Sequence, residues 1–163
     1  MLLLFLLALL GGPYVILGLV GRRLPALRVV PEKRARLGLS LFFAFTALGH
    51  FVRTEEMAAM LPPSAPYRVG LIYLTGVFEL AGAVGLWVPR LRRTAGLCLI
   101  LLLVAVLPAN VYSTMYRVEF GGHGAGPAYL LVRVPFQLFV IWWTYYATLR
   151  RPAEVRRREA VHA

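Results

Sequence analysis

Tyrosines aside, Met1 to Val20 contains no ionisable side chain, and neither does Thr94 to Tyr116. Val69 to Pro89 carries only Glu79, and Tyr129 to Leu149 only Arg133. A bilayer core about 30 Å thick is crossed by roughly 20 apolar residues of helix. Each of these four runs is long enough to cross. A fifth, shorter run, Leu37 to Val52, ends with His50. Strands of a membrane barrel need only about 9–11 residues of alternating pattern, so uniform runs of this length point to helices. The expected fold is an all-α membrane protein of five spans.

Composition narrows the class further. Apolar residues make up 60% of the 163 residues and charged residues 15%. That excludes a disordered chain, and so small a soluble domain has too little interior to bury this much apolar surface. The net charge of +11 would suggest nucleic acid in a soluble protein. Here its distribution gives another reading, with nucleic acid not expected as a partner. Six basic residues fall between 21 and 36, three between 90 and 93, and five between 150 and 158. The alternate connections hold only Arg53, Arg68, Arg117 and Arg133. The positive-inside rule then predicts the N-terminus outside and the C-terminus inside. Without a basic residue ahead of it, Met1 to Val20 reads as a retained span more readily than a signal peptide. Gly11, Gly12 and Pro13 are expected to weaken that helix.

The expected organisation is a transmembrane helix over 1–20, a basic cytoplasmic loop over 21–36, a four-helix transmembrane domain over 37–149 and a basic cytoplasmic tail over 150–163. The tail suits either anionic lipid or a simple topological anchor. A bacterial-type inner membrane is the expected location. The single cysteine, Cys98, excludes an intramolecular disulfide and any CxxC relay.

Polar groups at membrane depth are costly, so each is a functional candidate. With this topology Glu79 lies about ten residues into its span, roughly 15 Å at the helical rise. His50, Arg53, Asn110, Arg133 and Gln137 all fall in the same outer half, on four different helices with Glu79. This predicts a polar pocket opening outward with Glu79 at its floor. Arg133 is the expected partner of an ionised Glu79, and Gln137 of a neutral one. Asn110, just after Pro108, is a candidate to satisfy backbone groups freed by the proline. Each of these residues also has a purely structural reading as interhelical contact. His123 sits in a Gly-rich run expected to be a flexible outer loop, and no ligand cluster surrounds it, so no metal site is expected. Trp142, Trp143, Tyr145 and Tyr146 read as an aromatic belt. Thr54 to Tyr67 suits a short interfacial helix over the pocket or a plain connector.

Five motifs in order resemble the DoxX-like membrane proteins. They are Gly49-His50-Phe51, Leu61-Pro62-Pro63 with Pro66, the segment Thr75 to Leu86 centred on Glu79, Pro108-Ala109-Asn110-Val111-Tyr112, and Arg133-Val134-Pro135-Phe136-Gln137 followed by Ile141-Trp142. The resemblance covers roughly 37–149. It implies a compact four-helix core, here with an additional N-terminal span. The family is named for a subunit linked to thiosulfate:quinone oxidoreduction in archaea. Other relatives occur in redox-stress complexes, and distant ones act as receptor-assembly chaperones. That spread keeps function separate from fold.

Three functions fit. In the first, the chain is a quinone-binding subunit of a redox system, with Glu79, Arg133 and Gln137 on the quinone and His50 leading to water. No covalently bound cofactor is expected, and a partner subunit would supply electrons. In the second it is a non-catalytic assembly or chaperone-like partner. In the third it binds lipid or a small molecule, and a homo-dimer would be needed for transport. The sequence leaves open whether the chain is an enzyme.

Overall fold

The structure, a computed structural model, describes residues 2–150. Those residues are helical, with no strand among them. Helices α1 (Leu2–Arg23), α2 (Pro31–Val52), α3 (Thr54–Ala58), α4 (Arg68–Gly85), α5 (Arg92–Met115) and α6 (Leu130–Thr148) follow in order. Short 3-10 turns occur at Pro25–Leu27, His123–Ala125 and Pro127–Tyr129. By length and composition α1, α2, α4 and α5 are able to cross a membrane. Helix α6 has 19 residues, but Arg133, Gln137 and its clustered aromatic residues dilute its apolarity. The chain is therefore a membrane protein. Beyond Arg150, the predicted basic tail lies outside the described residues.

Four helices form a ring. Helix α2 packs on α4, α4 on α5, α5 on α6, and α6 returns to α2. Helix α1 lies outside that ring against α2. All these pairs are antiparallel. Gly85 meets Ala95 and Gly82 meets Leu99 across α4 and α5. Asn110 meets Gln137 near one end of α5 and α6, while Gly96 meets Thr148 near the other. Phe42 and Phe136 pack across the α2–α6 seam. The shared core is Leu10, Leu39, Phe43, Leu86, Leu99 and Val140, all almost wholly buried.

Glycines set the closest crossings. A Cβ on Gly38 would run into the Leu10 carbonyl, and one on Gly96 into the Thr148 hydroxyl. Close backbone approach of this kind is how membrane helices gain packing without a hydrophobic driving force between them. Helix α1 runs unbroken through Gly11, Gly12 and Pro13.

One boundary differs from expectation. Helix α2 starts at Pro31, so residues 31–36 are its first turns and not part of a loop. Pro31 occupies the first helical position, where its missing N–H costs nothing, and Glu32 favours the first turn. Lys33, Arg34 and Arg36 are compatible with a helix end because their long stems carry the charge toward the interface. This end of the ring also holds Arg22, Arg28, Arg90, Arg92 and Arg93. Trp142 and Tyr145 face outward there, while Trp143 is half-buried against Tyr14 of α1, with ring centroids 5.4 Å apart.

Candidate functional site

The polar candidates occupy the opposite end of the ring, where they form two separate clusters. The first lies on the α2–α4 seam. Gly76 makes it possible: a Cβ there would come within 2.7 Å of the His50 Cβ. With α4 held that close, the imidazole reaches into the next turn. His50 Nδ1 lies 3.1 Å from the Ile72 carbonyl and 3.0 Å from the Thr75 hydroxyl. Thr75 donates to Ile72 at 2.8 Å or Leu71 at 3.1 Å, in the usual back-bonding of a helical Thr.

The Ile72 carbonyl only accepts, whereas the Thr75 hydroxyl also donates, so Nδ1 meets the one as a donor or the other as an acceptor. On the other side of the ring, Nε2 faces Glu79 Oε2 at 3.6 Å. The contact is favourable when a proton lies on Nε2 or on the carboxyl facing it, and Nε2 carries one whenever Nδ1 accepts from Thr75. Glu79 Oε2 is otherwise buried with no hydrogen-bond partner. The two side chains are 12% and 13% exposed, so the pair is neither sealed nor freely solvated.

The second cluster joins α5 and α6. Asn110 Nδ2 donates to Gln137 Oε1 at 3.0 Å, and Arg133 Nη2 donates to Asn110 Oδ1 at 3.2 Å. Gln137 Nε2 donates to the Leu103 carbonyl. Pro108 deprives the adjacent Val104 carbonyl of its helical donor, so this stretch of α5 is loosened where Gln137 reaches in. The backbone carbonyl of Asn110 accepts from Ser113 at 3.1 Å and Thr114 at 2.7 Å. Asn110 and Gln137 are each only 4% exposed.

Several pairings differ from expectation. Glu79 meets His50, and Arg133 does not come within 4 Å of its carboxylate. Gln137 bonds Asn110 and the α5 backbone, not Glu79. It is Gln137, not the Asn110 side chain, that serves a backbone carbonyl near Pro108. Arg53 leaves the cluster: its Nε pairs with Glu56 at 2.6 Å, and its side chain is 58% exposed. The residue has left helical geometry, with φ −121 and ψ 39, which takes it out of register with His50. Nor do these six residues line either of two cavities found elsewhere in the molecule. One, about 590 Å3, lies between α1 and the start of α2, and the other, about 370 Å3, is lined by Leu2, Leu3, Gly121, Gly122 and Tyr129. Helix α3 is a five-residue turn whose Thr54 hydroxyl donates to the His50 carbonyl at 2.7 Å.

His123 belongs to the second cluster, although its Gly-rich loop gave no sign of it. The residue is 2% exposed, and its Nδ1 lies 2.6 Å from Thr114 Oγ1. That hydroxyl's hydrogen already goes to Asn110, so His123 Nδ1–H is the donor. Burial, reinforced by the charge of Arg133, pushes the His123 imidazole down to about 4. Gly121, Gly122 and Gly126 all have positive φ, and they fold the loop inward. The signal available in the sequence was Ser113 and Thr114, three and four residues after Asn110 on its own helix. Among the described residues no three His, Cys, Asp or Glu side chains gather as a metal site.

The family described as a domain of unknown function, DUF8561, matches residues 39–148, more than half of the chain, and the chain belongs to it. The matched segment runs from within α2 to the end of α6 and so covers nearly all of the four-helix ring. No curated protein and no solved structure matches the chain.

Proposed function

We propose that this DUF8561 protein is an inner-membrane, DoxX-like subunit of a redox system that binds a quinone or similar amphiphile at the α2–α4 seam. In this reading five helices span, with the N-terminus outside and the C-terminus in the cytoplasm. The observation that carries it is the His50–Glu79 contact. Its geometry calls for one exchangeable proton, and it leaves a buried carboxylate oxygen unpartnered. Unpaired intramembrane carboxylates mark proton or substrate paths.

The donor set suits a quinone. Its ring carbonyls accept hydrogen bonds, and when bound it would supply two-electron chemistry coupled to protons. The proton held between His50 Nε2 and Glu79 Oε2 is one donor. Arg133 Nε, buried and without a partner, belongs to the separate α5–α6 cluster. An amphiphile dissolved in the bilayer needs no closed cavity, because the partly exposed seam is open to the lipid. Phe51 and Tyr73, with ring centroids 5.8 Å apart and both exposed, flank it with apolar surface. The protein's part is to orient the ring and to hold or release a proton at Glu79.

Solvent extraction and mass spectrometry of detergent-purified protein, wild type beside Glu79→Gln, test this reading. The expected result is a stoichiometric quinone in the wild type that is lost in the variant. A wild type without quinone defeats it.

A second reading, a non-catalytic assembly partner, is favoured by the α5–α6 cluster. Asn110, Gln137 and Arg133 bond chiefly one another, as residues that fix helix register do. It predicts a stable hetero-complex that survives Glu79→Gln.

A further inference from the structure

The larger cavity lies at the other end of the molecule, and its chemistry differs. It opens between the second half of α1, the turn after it and the start of α2. Three arginines line it: Arg22, Arg28 and Arg34. Arg22 and Arg28 are exposed and Arg34 half-buried. None of the three has a carboxylate within ion-pair distance among the described residues.

Arg34 is the unusual member. Its guanidinium lies over the Tyr14 ring, 5.1 Å from the centroid, which uses one flat face of the group. The N–H edge is left for an acceptor, and Nε is buried with none. Glycine makes the room: a Cβ on Gly18 would collide with Arg34 Nη1. Gly21 does the same for the turn, since its Cβ position lies 3.2 Å from the Arg28 Cα. The backbone is thus drawn in so that three cations face one space.

We propose that this cavity binds the phosphate of an anionic phospholipid. The acceptor is expected to be anionic, because three guanidinium side chains line the space and none has a carboxylate partner among the described residues. Phosphate offers several acceptor oxygens to the forked Arg donors. A lipid, not a free phosphate, is indicated by place and by wall. The cavity sits at the basic end of α1, where the chain leaves the apolar span. Its wall includes Val15 and Leu19, both more than half exposed, which suit an acyl chain running down α1. Helix α1, outside the four-helix ring, then serves as one side of a lipid seat against α2.

Native mass spectrometry of the full chain in mild detergent provides the test, with phosphatidylglycerol, phosphatidylcholine and inorganic phosphate as probes. Wild type should retain one phosphatidylglycerol at least tenfold more tightly than phosphatidylcholine. Arg34→Gln should weaken that retention at least tenfold. Gly18→Leu should do the same with every charge kept, by displacing the guanidinium. Should either variant fail to fold, as judged by circular dichroism and gel filtration, Arg28→Gln at an exposed position carries the comparison, with a severalfold loss expected. Equal retention by wild type and the folded variants overturns the proposal. So does full displacement of the lipid by millimolar inorganic phosphate, which would make the cavity a free-phosphate site.

Discussion

His50 and Glu79 face each other across the α2–α4 seam with Nε2 and Oε2 3.6 Å apart, while His50 Nδ1 is already committed to the Ile72 carbonyl and Thr75. Nitrogen NMR of the labelled ring reads both nitrogens separately, and Glu79→Gln should move the Nε2 signal while leaving Nδ1 on Ile72 and Thr75. The amide keeps a polar partner for Nε2, so the fold should survive within about 1 kcal/mol. An Nε2 signal unmoved by the substitution would show that the contact carries nothing.

Gly76 is the residue that allows this contact. Gly76→Ala sets a methyl 2.7 Å from the His50 Cβ, which moves only with its own helix. Overpacking of this kind costs about 1–3 kcal/mol. Gly70 lies on the same helix, and a Cβ there would meet only the Cβ of Tyr67, just ahead of the helix, at an ordinary 3.8 Å. Gly70→Ala should be neutral or mildly stabilising. Comparing both in a denaturant titration separates crowding at the seam from a general glycine effect.

Asn110 and Gln137 form a coupled unit. Each single change to Leu leaves one buried atom of the other amide unpaired, Gln137 Oε1 or Asn110 Nδ2, a cost of about 1–3 kcal/mol. Changing both removes the orphan. The double variant should be less destabilised than the sum of the singles, by about 0.5–3 kcal/mol. Strict additivity in a double-mutant cycle would show that the 3.0 Å contact carries no energy.

His123 gives the fold an acid sensitivity. Its imidazole is held down to about 4 by burial and then by Arg133, against about 6.5 in an unfolded chain. Above pH 6.5 both states are neutral there, and the group has no effect on stability. As pH falls from 6.5 to 4 the unfolded state takes up the proton first, so stability is lost over that window. The loss is on the order of 3 kcal/mol and levels off below pH 4. His123→Gln should flatten this part of the stability–pH curve, and an unchanged curve would assign the acid sensitivity elsewhere.

Much of the fold was legible because membrane helices announce themselves as charge-free runs, and the boundaries of α4, α5 and α6 fall close to those runs. The start of α2 was hidden because Lys33, Arg34 and Arg36 look like loop charges, although a helix end accommodates them. Depth could be counted along each helix, which brought His50, Glu79, Asn110, Arg133 and Gln137 to one end. Rotation about the helix axis could not be counted that way. Depth alone pairs Glu79 with Arg133, whereas the close α2–α4 approach at Gly76 sets it against His50. His123 was hidden by glycines that suggested looseness, but whose positive φ values fold the loop inward.

The closed ring has a consequence for how the protein is made. Three of its four seams join helices that follow one another along the chain, but the seam between α2 and α6 joins the first ring helix to emerge with the last. Until α6 leaves the ribosome, Phe42 and its neighbours lack the Phe136 side of their packing. Helix α1 can already brace the opposite flank of α2 through Leu10 and Gly38. The final hydrophobic segment is thus the keystone, and premature termination before it leaves an open three-sided assembly for quality-control proteases to find.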